Sequence, residues 1–268
     1  MVRGRRGDPV TSMPDEVRRR RREPGGPWVA LTALVFYPIT WWVARRRMVG
    51  LENVPAQGPA MLVCNHVSYL DPVYTAVFVH RARRTPRFLA KDSLWKVPVL
   101  GRIMAGSRQI PVSRGSRDAG SSLGAAHHAF DDGGVVVIYP EGTITRDPAG
   151  WPMEARSGAA RLALTSHVPV IPTVHWGTLS VYDHYRKKIR PSPFGATITV
   201  RAGTPIQLDD LRARVGEKPP GAALMRETTD RMMSAVRTLL EEVRGESAPA
   251  GTGPGVDETG DRGTGAGR

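Results

Sequence analysis

Two short stretches of this chain combine residue types that can do proton chemistry. Asn65-His66-Val67-Ser68-Tyr69-Leu70-Asp71 places an imidazole five residues before a carboxylate, and Tyr139-Pro140-Glu141-Gly142-Thr143 sets a second carboxylate in a glycine-containing turn. Residues five apart on a regular helix lie roughly 140° apart around the axis, so His66 and Asp71 can meet only across a turn. If they meet, Asp71 accepts a hydrogen bond from one ring nitrogen, and the other nitrogen is left as a proton acceptor. That is the general-base half of a triad, with the attacking hydroxyl supplied by a substrate. The plainer account is that Asp71 caps a helix opened by Pro72 while His66 is an ordinary loop histidine. Glu141 has two readings as well: it receives a substrate hydroxyl or positions His66, or it is a solvated turn carboxylate. Gly142 lets the backbone approach a ligand or take a positive φ.

These residues need elements to hold them. Met61–Cys64, after the Gly58-Pro59 turn signal, reads as a buried strand ending near Asn65, with a helix starting between Ser68 and Asp71. Gly133-Gly134 followed by Val135-Val136-Val137-Ile138 reads as a second buried strand that delivers the Glu141 turn to its C-terminal end, where open α/β sheets hold ligands. Between them, Gln109 to Gly115 is a short strand ending in Arg114, whose planar guanidinium suits two oxygens of a phosphate. Arg146 can serve the same anion, although in so arginine-rich a chain both can be plain surface charges. Phe88–Lys91 is a further candidate strand. Val168–Pro172 is another, with its prolines restricting it to the sheet margin or the strand ends. Helical spacing covers residues 123–130, 156–166 and 221–243, the last as an amphipathic helix packed on the sheet. The expected fold is α/β: a single domain with a mixed, mostly parallel central sheet flanked by helices, carrying an N-terminal membrane-associating helical segment. Boundaries fall at 1–26 for a disordered basic arm, 27–47 for the membrane-associating helix, 48–244 for the α/β domain and 245–268 for a disordered tail.

The net charge of +13 and pI near 10.7 call for an anionic partner or surface. The charge is clustered: Arg18 to Arg22 precede an apolar segment, Trp28 to Val43, and Arg45-Arg46-Arg47 follow it. That segment is shorter than a comfortable span of ~20 residues, contains Pro38 and ends in Trp41-Trp42, so it fits a helix lying in the cytoplasmic leaflet. No small-residue cleavage site follows, which argues against a signal peptide. Without a helix-turn-helix, zinc or stacking-aromatic pattern, nucleic acid is the weaker partner. No metal is expected, because His127-His128 are adjacent rather than spaced as ligands. Cys64, the single cysteine, lies in an apolar run and suits packing better than nucleophilic attack.

In order along the chain, NHVSYLD, Arg114 in IPVSRG, YPEGT and VPVIP resemble the four motifs of the bacterial glycerolipid acyltransferases, in particular the 1-acylglycerol-3-phosphate type. The resemblance runs from about Gly50 to Leu208. It implies an O-acyltransferase moving a fatty acyl group from a thioester, on coenzyme A or acyl carrier protein, to the hydroxyl of lysophosphatidate, giving phosphatidate without a cofactor. By the same resemblance His66 is the base, Asp71 orients it, Arg114 binds the acceptor phosphate, and Glu141, Gly142, Thr143 and Arg146 shape the acceptor site. Pro172 would belong to the fourth motif. The family's third block commonly carries a basic residue close after E-G-T, where this chain has Ile144, which leaves another lysophospholipid or a glycolipid alcohol as an alternative acceptor. A non-catalytic basic membrane-binding protein is the alternative from a different class. The expected partners are the acyl donor, a lysophospholipid and an anionic membrane surface, at the cytoplasmic face of the cell membrane.

Overall fold

The computed structural model describes residues 13–112, 119–183, 188–190 and 192–249. Among these, seven strands form one sheet in the order β1-β9-β6-β2-β5-β3-β4. They are β1 (Ala44–Val49), β2 (Ala60–Cys64), β3 (Pro86–Lys91), β4 (Ile110–Val112), β5 (Val135–Ile138), β6 (Val170–Trp176) and β9 (Ser192–Ala202), while β7 (Tyr182–Asp183) and β8 (Lys188–Ile189) form a separate hairpin. Every neighbouring pair in the large sheet is parallel except β6 with β9. The helices are α1 (Asp15–Arg19), α2 (Gly26–Val43), α3 (Asp71–Arg81), α4 (Pro98–Gly106), α5 (Ala119–Asp131), α6 (Gly158–Ser166), α7 (Thr178–Val181), α8 (Asp209–Arg212) and α9 (Ala222–Arg244).

Both sheet faces are covered, which is why β2 and β5 read as unbroken apolar runs rather than alternating ones. Met61, Val63, Val136 and Ile138 point into a core with α6 and α9. Leu62, Cys64, Val135 and Val137 point the other way, against Tyr74, Val77 and Phe78 of α3. Burial pushes the Cys64 thiol well above its ordinary value, and the residue packs as a small apolar group.

The structure departs from the sequence reading in three places. The N-terminal helix stops at Val43, and Ala44–Val49 is an edge strand paired with β9, so the segment 27–47 is not one helix. Arg45 and Arg47 are exposed on one face of the strand, while Ala44 and Met48 on the other face are buried and Arg46 between them is half-buried. The arm is not wholly disordered either: Val17 of α1 is fully buried, Arg20 donates to the Val54 carbonyl, and Glu23 pairs with buried Arg84 at 2.7 Å. Few apolar residues in the arm hid these contacts, which are ionic and backbone-directed. The expected tail disorder over 250–268 lies outside the described residues. Finally, β6 is an inner strand despite its prolines. Pro172 accepts a hydrogen bond from the Gly203 N–H at 2.8 Å, so its own nitrogen faces β9 where that ladder ends at Ala202. Its missing N–H therefore costs no sheet bond.

Candidate active site

β2 ends at Cys64, and the next six residues turn tightly into α3. His66 Nδ1 and Asp71 Oδ2 are 3.0 Å apart, so the turn brings the two residues together. The same oxygen accepts the backbone N–H groups of Val67 at 2.7 Å and Ser68 at 2.8 Å, and Oδ1 accepts the Thr178 hydroxyl at 2.7 Å. Asp71 is the first residue of α3 and makes no capping bond to it; its side chain folds back onto the loop instead. Burial raises the pKa of this fully enclosed carboxyl. The His66 hydrogen bond, the neighbouring imidazoles of His175 and His66 and the Thr178 hydroxyl outweigh it, leaving Asp71 below the usual carboxylate range. An ionised Asp71 only accepts, which makes Nδ1 of His66 the donor and leaves Nε2 as the free proton acceptor.

The second carboxylate is used differently. Glu141 is 3% exposed, and its two oxygens accept the backbone N–H groups of His66 and Met153, each at 3.0 Å. It ties the β2–α3 loop to the loop after β5, and the Thr145 N–H donating to the His66 carbonyl at 2.7 Å completes that tie. Burial pushes the Glu141 carboxyl up to about 7, against the pull of its two backbone donors. Gly142 has φ +69°, a conformation that a side chain disfavours, and a Cβ there would lie 2.9 Å from Arg156 Nε. Thr143 and Arg146 are both exposed, Thr143 on the wall of the main cavity and Arg146 away from it. Arg114 lies outside the described residues.

Five residues at this site, Asn65, Thr75, Tyr139, His175 and Thr178, were not chosen from the sequence. Asn65 is fully buried and mimics a backbone pair, donating to the His175 carbonyl at 3.1 Å and accepting its N–H at 2.7 Å, which locks the end of β2 to β6. Thr75 donates its one proton to the Asp71 carbonyl, 2.9 Å away. Its oxygen therefore accepts from Tyr139 OH at 2.9 Å and from His175 Nε2–H at 2.6 Å. His175 is thus the Nε2–H tautomer, and burial holds its pKa below the ordinary histidine value. Tyr139 lies along the His66 ring, with centroids 4.4 Å apart. Thr75, four residues after Asp71 on one helix face, carried a weak local signal. Thr178 carried none, coming from the far end of β6.

His66 opens on one cavity of about 560 Å³ between α2, α3, α4 and β3. Its walls are mainly apolar, including Phe36, Val73, Val77, Phe88, Leu94 and Met104, and Lys91 and Ile144 also line it. Ile144 is only 7% exposed. Gly106 allows α4 to seat on α2, because a Cβ there would come within 2.1 Å of the Trp28 ring.

Residues 45–176 match the family model described as Acyltransferase. A 1-acyl-sn-glycerol-3-phosphate acyltransferase of Cocos nucifera is 28% identical over 153 residues, 56% of this chain and 47% of that protein. The lysophospholipid acyltransferase LPEAT1 of Arabidopsis thaliana is 30% identical over 141 residues, 47% of this chain and 33% of that one. The chain spans about half the length of the first of these relatives. Among solved structures, the 1-acyl-sn-glycerophosphate (LPA) acyltransferase PlsC from Thermotoga maritima superposes with a TM-score of 0.59 over 83% of this chain and 80% of that one, at 20% identity, which is a likeness of fold.

Proposed function

We propose that this chain, a member of the acyltransferase family through residues 45–176, is a membrane-associated O-acyltransferase that converts lysophosphatidate to phosphatidate. The observation that carries this reading is a histidine–aspartate pair, Nδ1 to Oδ2 3.0 Å, facing an apolar cavity large enough for a fatty chain. In this reading Nε2 of His66 takes the proton of the acceptor hydroxyl as that oxygen attacks the thioester carbonyl. The new C–O ester bond forms, the C–S bond breaks, and the departing thiolate of coenzyme A or acyl carrier protein recovers the proton from His66. Asp71 holds the imidazole in the required tautomer and stabilises its charged form. No protein nucleophile is needed, in keeping with the buried Cys64.

Arg114 is proposed to hold the acceptor phosphate, with Gly142 and Thr143 shaping the acceptor site and Arg146 at its outer edge. Glu141 acts in this reading by fixing the His66 backbone. Arg156, whose side chain lies against Gly142, is a further cation available to an acceptor anion. Buried Ile144, on the cavity wall where the family commonly has a base, favours a second reading in which the acceptor is another lysophospholipid or a glycolipid alcohol.

The membrane placement rests on α2. Its outward face carries Leu31, Leu34, Val35, Ile39, Trp41 and Trp42, all exposed. Its other face is packed on the domain from Trp28, against Gly106, to Thr40, whose carbonyl accepts the Tyr74 hydroxyl. With one face contacting the domain and the other exposed and apolar, α2 would lie in the interface at the cytoplasmic face.

Purified protein given acyl-coenzyme A or acyl carrier protein with a panel of acceptors tests the reading. Lysophosphatidate should be consumed, and His66→Ala should lower kcat by about 10²–10⁴-fold. A folded His66→Ala protein with full turnover would remove the proposed base, and turnover confined to another acceptor would select the second reading.

A further inference from the structure

Four guanidiniums, from three separate pieces of the chain, converge at the end of α3 opposite the histidine–aspartate pair. Arg22 of the N-terminal arm donates to the His80 carbonyl at 2.8 Å. Arg46 of β1 donates to the Thr40 hydroxyl at 3.2 Å and sits 5.7 Å from the centre of the Tyr37 ring. Arg81 closes α3, and Arg83 follows it, donating to the Arg18 carbonyl at 3.2 Å. At their centre Tyr37 OH and His80 Nδ1 meet at 2.9 Å. Among the described residues none of the four arginines forms an ion pair with a carboxylate, although most buried or half-buried arginines elsewhere do. The Nε atoms of Arg81 and Arg83 are also buried without a partner. Burial, and then the charge of Arg83, draw the Arg22 guanidinium below its ordinary value; burial and then Arg81 do the same to Arg46. Uncompensated cations this close cost stability until an anion joins them.

We infer that Arg22, Arg46, Arg81 and Arg83, gathered about the Tyr37–His80 pair on the wall of the cavity that His66 also lines, form a binding site for the phosphate of an anionic lipid headgroup. Distance excludes the acceptor's own phosphate: Arg81 stands ten residues, about 15 Å, along α3 from Asp71, whereas a phosphate and a hydroxyl on one glycerol lie within a few bonds of each other. Guanidinium forks match phosphate oxygens in pairs. The lipid source is favoured by position. Trp41 and Trp42, both exposed, stand on α2 immediately before the strand that carries Arg46, and tryptophan settles at the level of the headgroups. The apolar face of α2 would enter the leaflet while the four arginines meet the phosphates at its surface. This inference rests on the membrane placement of α2 and is independent of the reaction at His66.

The test is co-sedimentation of the full chain with phosphatidylcholine vesicles, with and without phosphatidylglycerol. Arg46→Gln/Arg81→Gln should lower partition onto the anionic vesicles by about thirtyfold, at roughly 1 kcal/mol per basic side chain at the surface. The charge-matched control Arg161→Gln/Arg226→Gln, both exposed on other helices, should lower it less than twofold. Equal losses in the two double variants would mean diffuse attraction and overturn the site. Exposed Arg22→Gln alone should give a smaller loss of the same kind, and serves if the double variant melts early. Free inorganic phosphate at matched ionic strength should leave binding unchanged; if it erases the difference between cluster and control variants, the occupant is free phosphate and the lipid assignment falls. Leu34→Ser/Trp41→Ser separates the premise from the inference, since unchanged partition onto all vesicles in that variant rejects the membrane placement itself.

Discussion

Asp71 accepts four hydrogen bonds, from one imidazole, two backbone N–H groups and one hydroxyl, and each has a different consequence. The backbone donors shape the loop, while the Thr178 hydroxyl holds the carboxylate plane that points Oδ2 at His66. In the proposed mechanism Thr178 is therefore a positioning residue. Thr178→Val keeps the shape and removes a buried bond to a charged acceptor, of about 1.5–3 kcal/mol. The expected result is a kcat lowered about tenfold with KM little changed, restored in large part by Thr178→Ser. A KM rise with kcat intact would assign Thr178 to substrate binding instead. The separation of His66 and Asp71 was legible from sequence, because five residues cannot meet on a helix and a proline marks where the helix begins. The role of Thr178 was not, since no local pattern links it to a loop 107 positions earlier.

Between elements, Glu141 is the joint. It connects the loop after β2 to the loop after β5, so that two strand ends act as one site. A carboxyl near 7 in the folded chain, against an ordinary value of 4.5, binds its proton more tightly folded than unfolded. The folded state thus holds more protons between these two values, and this group's contribution to stability falls as pH rises from 4.5 to 7, by roughly 3 kcal/mol. His175 and His80, held below the histidine range by burial, contribute in the opposite sense over part of this window. The measurement is therefore a difference: chemical denaturation of the natural protein and of Glu141→Gln from pH 4.5 to 7.5. The gap between them should move in favour of the variant as pH rises, and parallel profiles would place the Glu141 carboxyl in its ordinary range. Strands β2 and β5 and helices α3, α6 and α9 could be anticipated from apolar runs and helical spacing. Strand β1 could not, because three consecutive arginines resemble a solvated flank unless a partner strand such as β9 is known.

At the scale of the whole molecule, α2 has two apolar faces with separate tasks. One lines the cavity through Phe36 and Tyr37; the other is exposed. Removing residues 1–47 would also remove most of β1, so point changes are the cleaner probe of membrane contact. Leu34, 74% exposed, and Trp41, 68% exposed, contribute little to the fold. Leu34→Ser/Trp41→Ser should lower vesicle partition about tenfold or more, from the apolar area withdrawn from lipid, with the melting temperature unchanged. A fall in melting temperature without loss of partition would make this face part of an internal packing surface.

The amino-acid sequence by itself determined what local rules control. Strand ends bearing a base and a carboxylate, the covered parallel sheet, the apolar basic-flanked helix and the ordered motifs all follow from turn chemistry, periodicity and charge within short windows. Tertiary structure decided what depends on partners far along the chain. It placed Thr178 and Asn65 around the dyad, turned Glu141 from a solvated carboxylate into a buried tie, admitted a proline to an inner strand and gathered four arginines that have no carboxylate partner among the described residues. Burial and hydrogen bonding set those outcomes, and neither exists until distant segments pack together.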